Sequence, residues 1–186
     1  GFTFTNRDHL IRALTHQSYI NEHPDKLPVS NERLEFLGDS IVGMVVANLL
    51  YVGAPDLPEG DLTVRRSQVV RRETLASVSK SIGLGQWVVM GKGEAAAGGN
   101  ERNSNLADSF EAVAGAIFVD QGYEHAYSFV NQWLGPYVDA VLRAKTQKDP
   151  KSLLQEYLQG KGGKPPRYRL ISESGLPSDI VFTMEV

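Results

Sequence analysis

Two pairs of carboxylate side chains are spaced so that each pair shares one side of a helix. Glu35 and Asp39 are four residues apart, and Asp108 and Glu111 are three residues apart. At about 100° per residue, either spacing places both members of a pair on one helix face. A solvated face would usually carry a basic residue at i+4, whereas the i+4 partner of Glu35 is another acid. The spacing therefore favours a cation site, although an exposed acidic edge stays open at this point.

The segments around both pairs are otherwise apolar and are predicted to be helices. Residues 31–51 read as one helix, and Val42 and Val46 continue the acidic face into a stripe that should be buried. Residues 105–120 form a second helix, in which Ala112 and Gly115 are small enough to let another backbone approach. Packing of the two helices would create an oxygen-rich pocket, which suits a hard divalent cation such as Mg²⁺.

Composition limits the class of protein. The chain has 186 residues, enough for one good-sized domain and a small second one. Its residues are 41% hydrophobic and 22% charged, which is the composition of a soluble globular protein. It contains no cysteine, so disulfide and thiolate sites are excluded, and its histidines show no metal-ligand spacing. No apolar run approaches the roughly 20 residues of a membrane span. We expect a cytoplasmic protein that does not insert into a membrane.

The remaining segments suggest a helical first domain and a small α/β second one. Residues 62–84 read as an Arg-rich helix, residues 91–105 as a flexible Gly-rich loop, and residues 125–146 as a helix that Gly135–Pro136 bends or interrupts. A boundary falls near residues 147–150. Beyond it the pattern predicts a helix, then strands at residues 168–172 and 180–186.

Four stretches resemble landmarks of the ribonuclease III family: NERLEFLGDS, ADSFEAVAGAIFVD, THQSY and the Gly-rich GKGEAAAGGNERNSNLAD. The resemblance covers nearly the whole chain. It implies a mainly α protein, with an all-helical ribonuclease III endonuclease domain at residues 1–147. Residues 148–186 would then be the N-terminal part of an incomplete α/β double-stranded-RNA-binding domain.

The resemblance also implies roles for the acidic residues. Asp39 and Glu111 would be catalytic, and Glu35, Asp108 and Glu111 would hold Mg²⁺, for which Mn²⁺ could substitute. Two further acids are expected to be auxiliary: Glu32 and Glu59. The expected reaction is hydrolysis of double-stranded RNA, including ribosomal RNA precursors, to 5′-phosphate and 3′-hydroxyl ends, with two metal ions as the usual arrangement.

Partners follow from the same resemblance. Cutting both strands of a duplex needs two active sites, so we expect a homodimer in which Phe36 contacts the partner; the alternative is that Phe36 is ordinary intrachain core. We expect double-stranded RNA as substrate and no small-molecule substrate. By the resemblance, Ser152, Gln155 and Glu156 are expected to contact RNA. Arg65 and Arg66 are also expected to contact RNA, because a guanidinium suits phosphate; the alternative is that the Arg-rich helix presents an ordinary solvated face.

Three other functions compete with this one. A noncatalytic ribonuclease III-like RNA-binding protein would commonly lack one of the four acids, and all four are present. An all-helical Mg²⁺-dependent nucleotide pyrophosphohydrolase also uses helical acidic pairs, but the RNA-binding-like tail disfavours it. A helical interaction bundle with accidental acidic pairs would bind no Mg²⁺ or Mn²⁺.

Overall fold

The computed structural model describes residues 2–25, 29–144, 150–162, 166–176 and 179–185. The chain divides into two compact units, Gly1–Ala144 and Lys145–Val186. The boundary predicted between residues 147 and 148 lies outside the described residues.

The first unit is built from helices, as predicted. Eight α-helices occur in its described part: α1 Arg7–Ala13, α2 Gln17–Glu22, α3 Glu32–Gly53, α4 Glu59–Val70, α5 Arg72–Ser81, α6 Lys92–Ala96, α7 Asn103–Gln121 and α8 Tyr123–Arg143. Two 3-10 turns, Leu84–Trp87 and Gly99–Glu101, connect α5, α6 and α7. Asn6 caps α1 by accepting a hydrogen bond from the backbone N–H of Asp8, as its residue type predicts.

Helix α3 lies at the centre of the first unit and packs against α7 and α8. Its predicted inward residues Val42 and Val46 are buried, together with Phe110 of α7 and Leu134 of α8. The ring of Phe110 stacks on Phe129, with 5.1 Å between ring centroids. Burial of these side chains supplies the hydrophobic free energy that holds the acidic helices in place.

By length and composition alone, α3 could cross a membrane. This differs from the expectation that no apolar segment is long enough to span one. Its 22 residues would span about 33 Å at 1.5 Å per residue. In the structure, Ile41, Val45 and Leu50 of this helix are buried against neighbouring helices. That is the environment of a core helix, which passes the same test.

The Arg-rich segment is two helices, not the single helix predicted. Helix α4 ends at Val70 and α5 begins at Arg72, because Arg71 has an extended backbone with φ −65° and ψ 151°. The Thr74 hydroxyl secures this break by donating to the carbonyl oxygen of Gln68, at 3.1 Å. The apolar spacing of residues 62–84 does not reveal the break, because both halves keep a helical period.

Two other sequence predictions differ from the structure in part. Helix α8 is not interrupted at Gly135 and Pro136, because its apolar face, including Val130, Leu134 and Val138, is held in the core. The Gly-rich segment is not simply a loop, since it contains α6 and a 3-10 turn. Tertiary packing has overridden local propensity in α8. Helix α6 buries no residue, and the backbone N–H groups of Lys92 and Gly93 at its start donate to the Glu22 carboxylate.

The second unit contains one helix and a two-stranded sheet in its described part. Helix α9 spans Pro150–Gly160, and strands β1 Arg169–Leu176 and β2 Asp179–Glu185 pair antiparallel. Leu170 faces Met184 in this register, and Arg169 faces Glu185, to which its Nε donates at 2.9 Å. The predicted helix–strand–strand order is confirmed, although β1 extends beyond the predicted 168–172.

Candidate active site

The two acidic helices approach closely because each carries a glycine at the crossing. A β-carbon on Gly115 of α7 would overlap the carbonyl oxygen of Leu34 in α3 and lie 3.2 Å from the amide nitrogen of Gly38. A β-carbon on Gly38 would likewise overlap the carbonyl oxygen of Glu111. The prediction that Gly115 permits close approach is consistent with this geometry, and the crossing brings both acidic pairs together.

Four carboxylates line one cleft of about 400 Å³ at this crossing. Glu35, Asp108 and Glu111 each place a carboxylate oxygen within 4.8 Å of the others, and all three are half-buried. Asp39 lines the same cleft but is exposed. The structure therefore brings together all four acids that the sequence singled out, three of them as a tight cluster.

Burial and mutual repulsion raise the proton affinity of the cluster. Burial, and then the charges of Asp39, Asp108 and Glu35, raise the pKa of Glu111 to about 8. Burial, followed by Asp108 and the other nearby acids, also raises the pKa of Glu35, and burial raises that of Asp108. Without a cation, this cluster holds protons at a pH where exposed carboxyls have lost theirs.

The donor set fits a hard divalent cation. All donors are oxygens, the atoms that Mg²⁺ prefers, and oxygens on opposite sides of Mg²⁺ are about 4 Å apart. The carboxylate separation of at most 4.8 Å is close to that span. Two positive charges among these groups would also offset the repulsion that raises their pKa values.

A hydrogen-bond network that the sequence did not predict fixes the start of α7. Glu94 of α6 accepts hydrogen bonds from Arg102 Nη1 at 2.7 Å and from Asn105 Nδ2 at 2.8 Å. Asn105 is buried and also donates to the carbonyl oxygen of Gly99 at 3.1 Å. The structure shows no side-chain cap at the start of α7. The network instead sets the position of Asp108, one turn further on.

The two auxiliary acids lie in different places. Glu32 is exposed, accepts a hydrogen bond from the Ser30 hydroxyl at 3.0 Å, and helps raise the pKa of Glu35 after burial and Asp108. Glu59 borders a separate cavity of about 360 Å³ between α3 and α4, beside Tyr51. Within one chain, Glu59 is therefore not among the residues that line the acidic cleft.

Phe36 and the two predicted RNA-contacting arginines differ sharply in exposure. Phe36 borders the acidic cleft with 79% of its surface exposed, so its assignment to the intrachain core is wrong. Arg66 is exposed, but Arg65 is only 5% exposed. In this conformation a buried Arg65 cannot meet a phosphate, which corrects the expectation for that residue.

The predicted contacts in the second unit are only partly described. Gln155 is exposed on α9. The side chains of Ser152 and Glu156 lie outside the described residues.

Arg72 is the cleft residue that sequence reasoning did not assign. It is exposed, lines the cleft, and opposes the rise in the pKa of both Asp108 and Glu111. His16 acts in the same direction on Asp108. The only sequence signal was the cluster of four arginines between residues 65 and 72, which did not distinguish Arg72 from its neighbours.

Comparisons with known proteins show which family this chain is similar to. A family model described as Ribonuclease-III-like matches residues 6–138. Ribonuclease 3 of Myxococcus xanthus is 42% identical over 186 residues, covering all of this chain and 72% of that protein. Ribonuclease 3 of Symbiobacterium thermophilum is 47% identical over 175 residues, covering 94% of this chain and 73% of that protein.

A solved structure provides an independent comparison. The nuclease domain of ribonuclease III from Campylobacter jejuni, described for structural flexibility in a region involved in dimer formation, matches with a TM-score of 0.68 and 34% identity. That match covers 73% of this chain and 91% of the Campylobacter chain. With the acidic cleft in place and both sequence and fold in agreement, this chain belongs to the ribonuclease III family.

Proposed function

We propose that the acidic cleft is the hydrolytic centre of this protein, an endoribonuclease that acts on double-stranded RNA. The observation that carries the proposal is the cluster of Glu35, Asp108 and Glu111, whose carboxylate oxygens lie within 4.8 Å of one another. A merely structural role would not account for repelling acids on facing sides of two packed helices, because their repulsion costs stability.

Metal dependence follows from the family and the donor set, and we propose Mg²⁺ as the ion, with Mn²⁺ able to substitute. Glu35, Asp108 and Glu111 would hold it. A bound divalent cation would activate water and stabilise negative charge on the leaving oxygen. Oxygen ligands of this kind suit Mg²⁺ and Mn²⁺ better than softer metals.

Asp39 is placed to act on the reacting groups. It is exposed at the cleft, where it can accept a hydrogen bond from an attacking water and orient it. Attack on phosphorus with loss of the 3′-oxygen breaks the P–O3′ bond, so the products carry 5′-phosphate and 3′-hydroxyl ends. Structured transcripts such as ribosomal RNA precursors are the proposed substrates.

A homodimer would allow two such clefts to cut the two strands of a duplex. The exposure of Phe36 beside the cleft supports this, because the free energy falls when a partner covers a large apolar side chain and removes it from water. The Campylobacter nuclease domain is described as having a region involved in dimer formation. We propose that Phe36 lies at the corresponding contact of this chain.

RNA contact is proposed for exposed residues in both units. Arg66 on α4 can form a forked contact with phosphate, and Gln155 on α9 can reach a minor groove by the family resemblance. Ser152 and Glu156 remain predictions of the same kind. The cytoplasmic location also remains a prediction.

The proposal is tested by incubating the full chain with a long RNA duplex in Mg²⁺, Mn²⁺ or a chelator. We expect short duplexes with 5′-phosphate and 3′-hydroxyl ends in either metal and none with chelator. Asp39→Asn and Glu111→Gln should each slow cleavage at least about a hundredfold. Asp139→Asn, which alters an exposed acid on α8, should cleave normally.

Two results would contradict the proposal. Full activity in both Asp39→Asn and Glu111→Gln would place the chemistry elsewhere. Hydrolysis of free nucleoside triphosphates without any action on duplex RNA would instead favour the pyrophosphohydrolase alternative.

A further inference from the structure

Arg72 occupies a distinctive position in the acidic cleft. Among the described residues that line the cleft, it alone is basic, facing four carboxylates. It is the first residue of α5, directly after the extended backbone of Arg71 that separates α5 from α4. The break between the helices therefore determines where this guanidinium lies.

The Arg72 guanidinium lines the same cleft as the four acids but is not bound to any of them. Across the described ranges of the chain, it forms no ion pair within 4.0 Å and no hydrogen bond. Its side chain is exposed, so its five N–H donors are available to a ligand that enters the cleft.

The chemistry of the cleft indicates what that ligand is. Four carboxylates repel an RNA phosphate, and a bound cation offsets only part of this repulsion at the place where the phosphate must lie. A guanidinium at the edge of the cleft supplies positive charge and paired donors that match two phosphate oxygens. An arginine serving only as counter-ion would form a direct ion pair with one of the acids.

We infer that Arg72 contacts the scissile phosphate of the RNA, binding its non-bridging oxygens while the carboxylate cluster holds the cation. The inference rests on the proposed function, since it assumes that the reacting phosphate enters this cleft. It assigns Arg72 a substrate-binding role distinct from that of Arg66, which borders the other cavity. Arg72 would thus hold the phosphate against the attacking water.

The first test compares binding of an RNA duplex by the full chain, Arg72→Ala, Arg72→Lys and the control Arg143→Ala. Arg143 is an exposed arginine on α8, so its substitution removes the same charge away from the cleft. We expect Arg72→Ala to weaken binding about tenfold and to lower the salt slope of log affinity by about 1. Arg72→Lys should retain the salt slope, because the charge is kept. It should bind RNA less tightly than wild type, because lysine lacks the forked guanidinium donors.

The second test identifies the contacted phosphate. A duplex with one neutral methylphosphonate at the cleaved linkage removes the charge that Arg72 would bind. Binding is measured in the Glu111→Gln background, which slows cleavage during the measurement. We expect Arg72→Ala to weaken binding of the natural duplex but not of the methylphosphonate duplex, a coupling that a purely structural effect would not produce.

Several outcomes would overturn the inference. One is an Arg72→Ala variant that matches Arg143→Ala in affinity, salt slope and single-turnover rate. Another is an equal loss of affinity for both duplexes. If the wild-type chain cleaves RNA and either result is obtained, only the role of Arg72 fails. Absence of metal-dependent cleavage by the wild type would instead remove the proposed function itself.

Discussion

Gly38 on α3 and Glu111 on α7 are in such close backbone contact that a β-carbon at position 38 would overlap the carbonyl oxygen of Glu111. The same crossing that positions Glu111 therefore depends on the absence of a side chain opposite it. Because backbone carbonyls in a helix cannot move far without breaking hydrogen bonds, any larger residue must push the two helices apart.

We expect Gly38→Ala to lower the free energy of unfolding by about 1–3 kcal/mol and to reduce cleavage, because separating the helices widens the carboxylate cluster. Chemical denaturation and duplex cleavage measure the two effects. Gly43→Ala is a matched control in the same helix, where an added β-carbon meets nothing within 4 Å. It should be neutral or stabilising by up to about 1 kcal/mol, and equal behaviour of both variants would contradict the packing argument.

Stability of the metal-free protein should fall as pH rises. Glu111 has a pKa of about 8 in the folded chain against an ordinary 4.5, so between these values the folded state holds a proton that the unfolded chain has released. The contribution of Glu111 to the free energy of unfolding is greatest below pH about 4.5 and declines until pH about 8. We expect a loss of about 2 kcal/mol, less than the whole shift would give because water screens the cleft.

Denaturation of metal-free protein at several pH values measures this decline. Glu111→Gln should flatten the curve, because the neutral side chain neither ionises nor repels its neighbours. Glu124→Gln changes an exposed acid on α8 and should leave the curve unchanged. A wild-type curve that is flat from pH 5 to 8 would show that the cluster is not strained.

Binding of Mg²⁺ near neutral pH should release a proton. The raised pKa of Glu111 keeps its carboxyl largely protonated at pH 7, and a cation requires the ionised form. Calorimetric titration in buffers of different ionisation enthalpy should give up to about one proton per site at pH 7 and almost none at pH 9. Asp139→Asn should behave as wild type, and heats that do not depend on the buffer would exclude this coupling.

Phe36→Ala should convert a dimer to a monomer at micromolar concentration, because it removes the exposed aromatic side chain proposed to enter the partner. Loss of an aromatic anchor at an interface costs about 2 kcal/mol or more. Size exclusion with light scattering measures the mass. Trp87→Ala removes another exposed aromatic side chain, outside the cleft lining, and should remain dimeric. A wild-type chain that is monomeric would refute the dimer itself.

Local periodicity was sufficient to predict which acidic side chains share a helix face, but not which arginines are exposed. The i, i+4 and i, i+3 spacings placed each pair on one helix face, and burial of Val42 and Val46 agrees with the direction predicted for α3. In the Arg-rich segment, adjacent positions differ by about 100° around the helix. Spacing alone could therefore not tell which of two neighbouring arginines faces the core. The structure buries Arg65 and exposes Arg66.

By itself, the sequence determined which side chains could hold a cation, which helices carry them, and that small residues would permit those helices to meet. Only the tertiary structure decided that α5 begins at Arg72 within the cleft, that α8 continues through Pro136, and that Phe36 is exposed. The physical reason is that spacing along a helix is a local property. Rotation of a helix against its neighbours, and the ends where two helices meet, depend on packing between segments far apart in the chain.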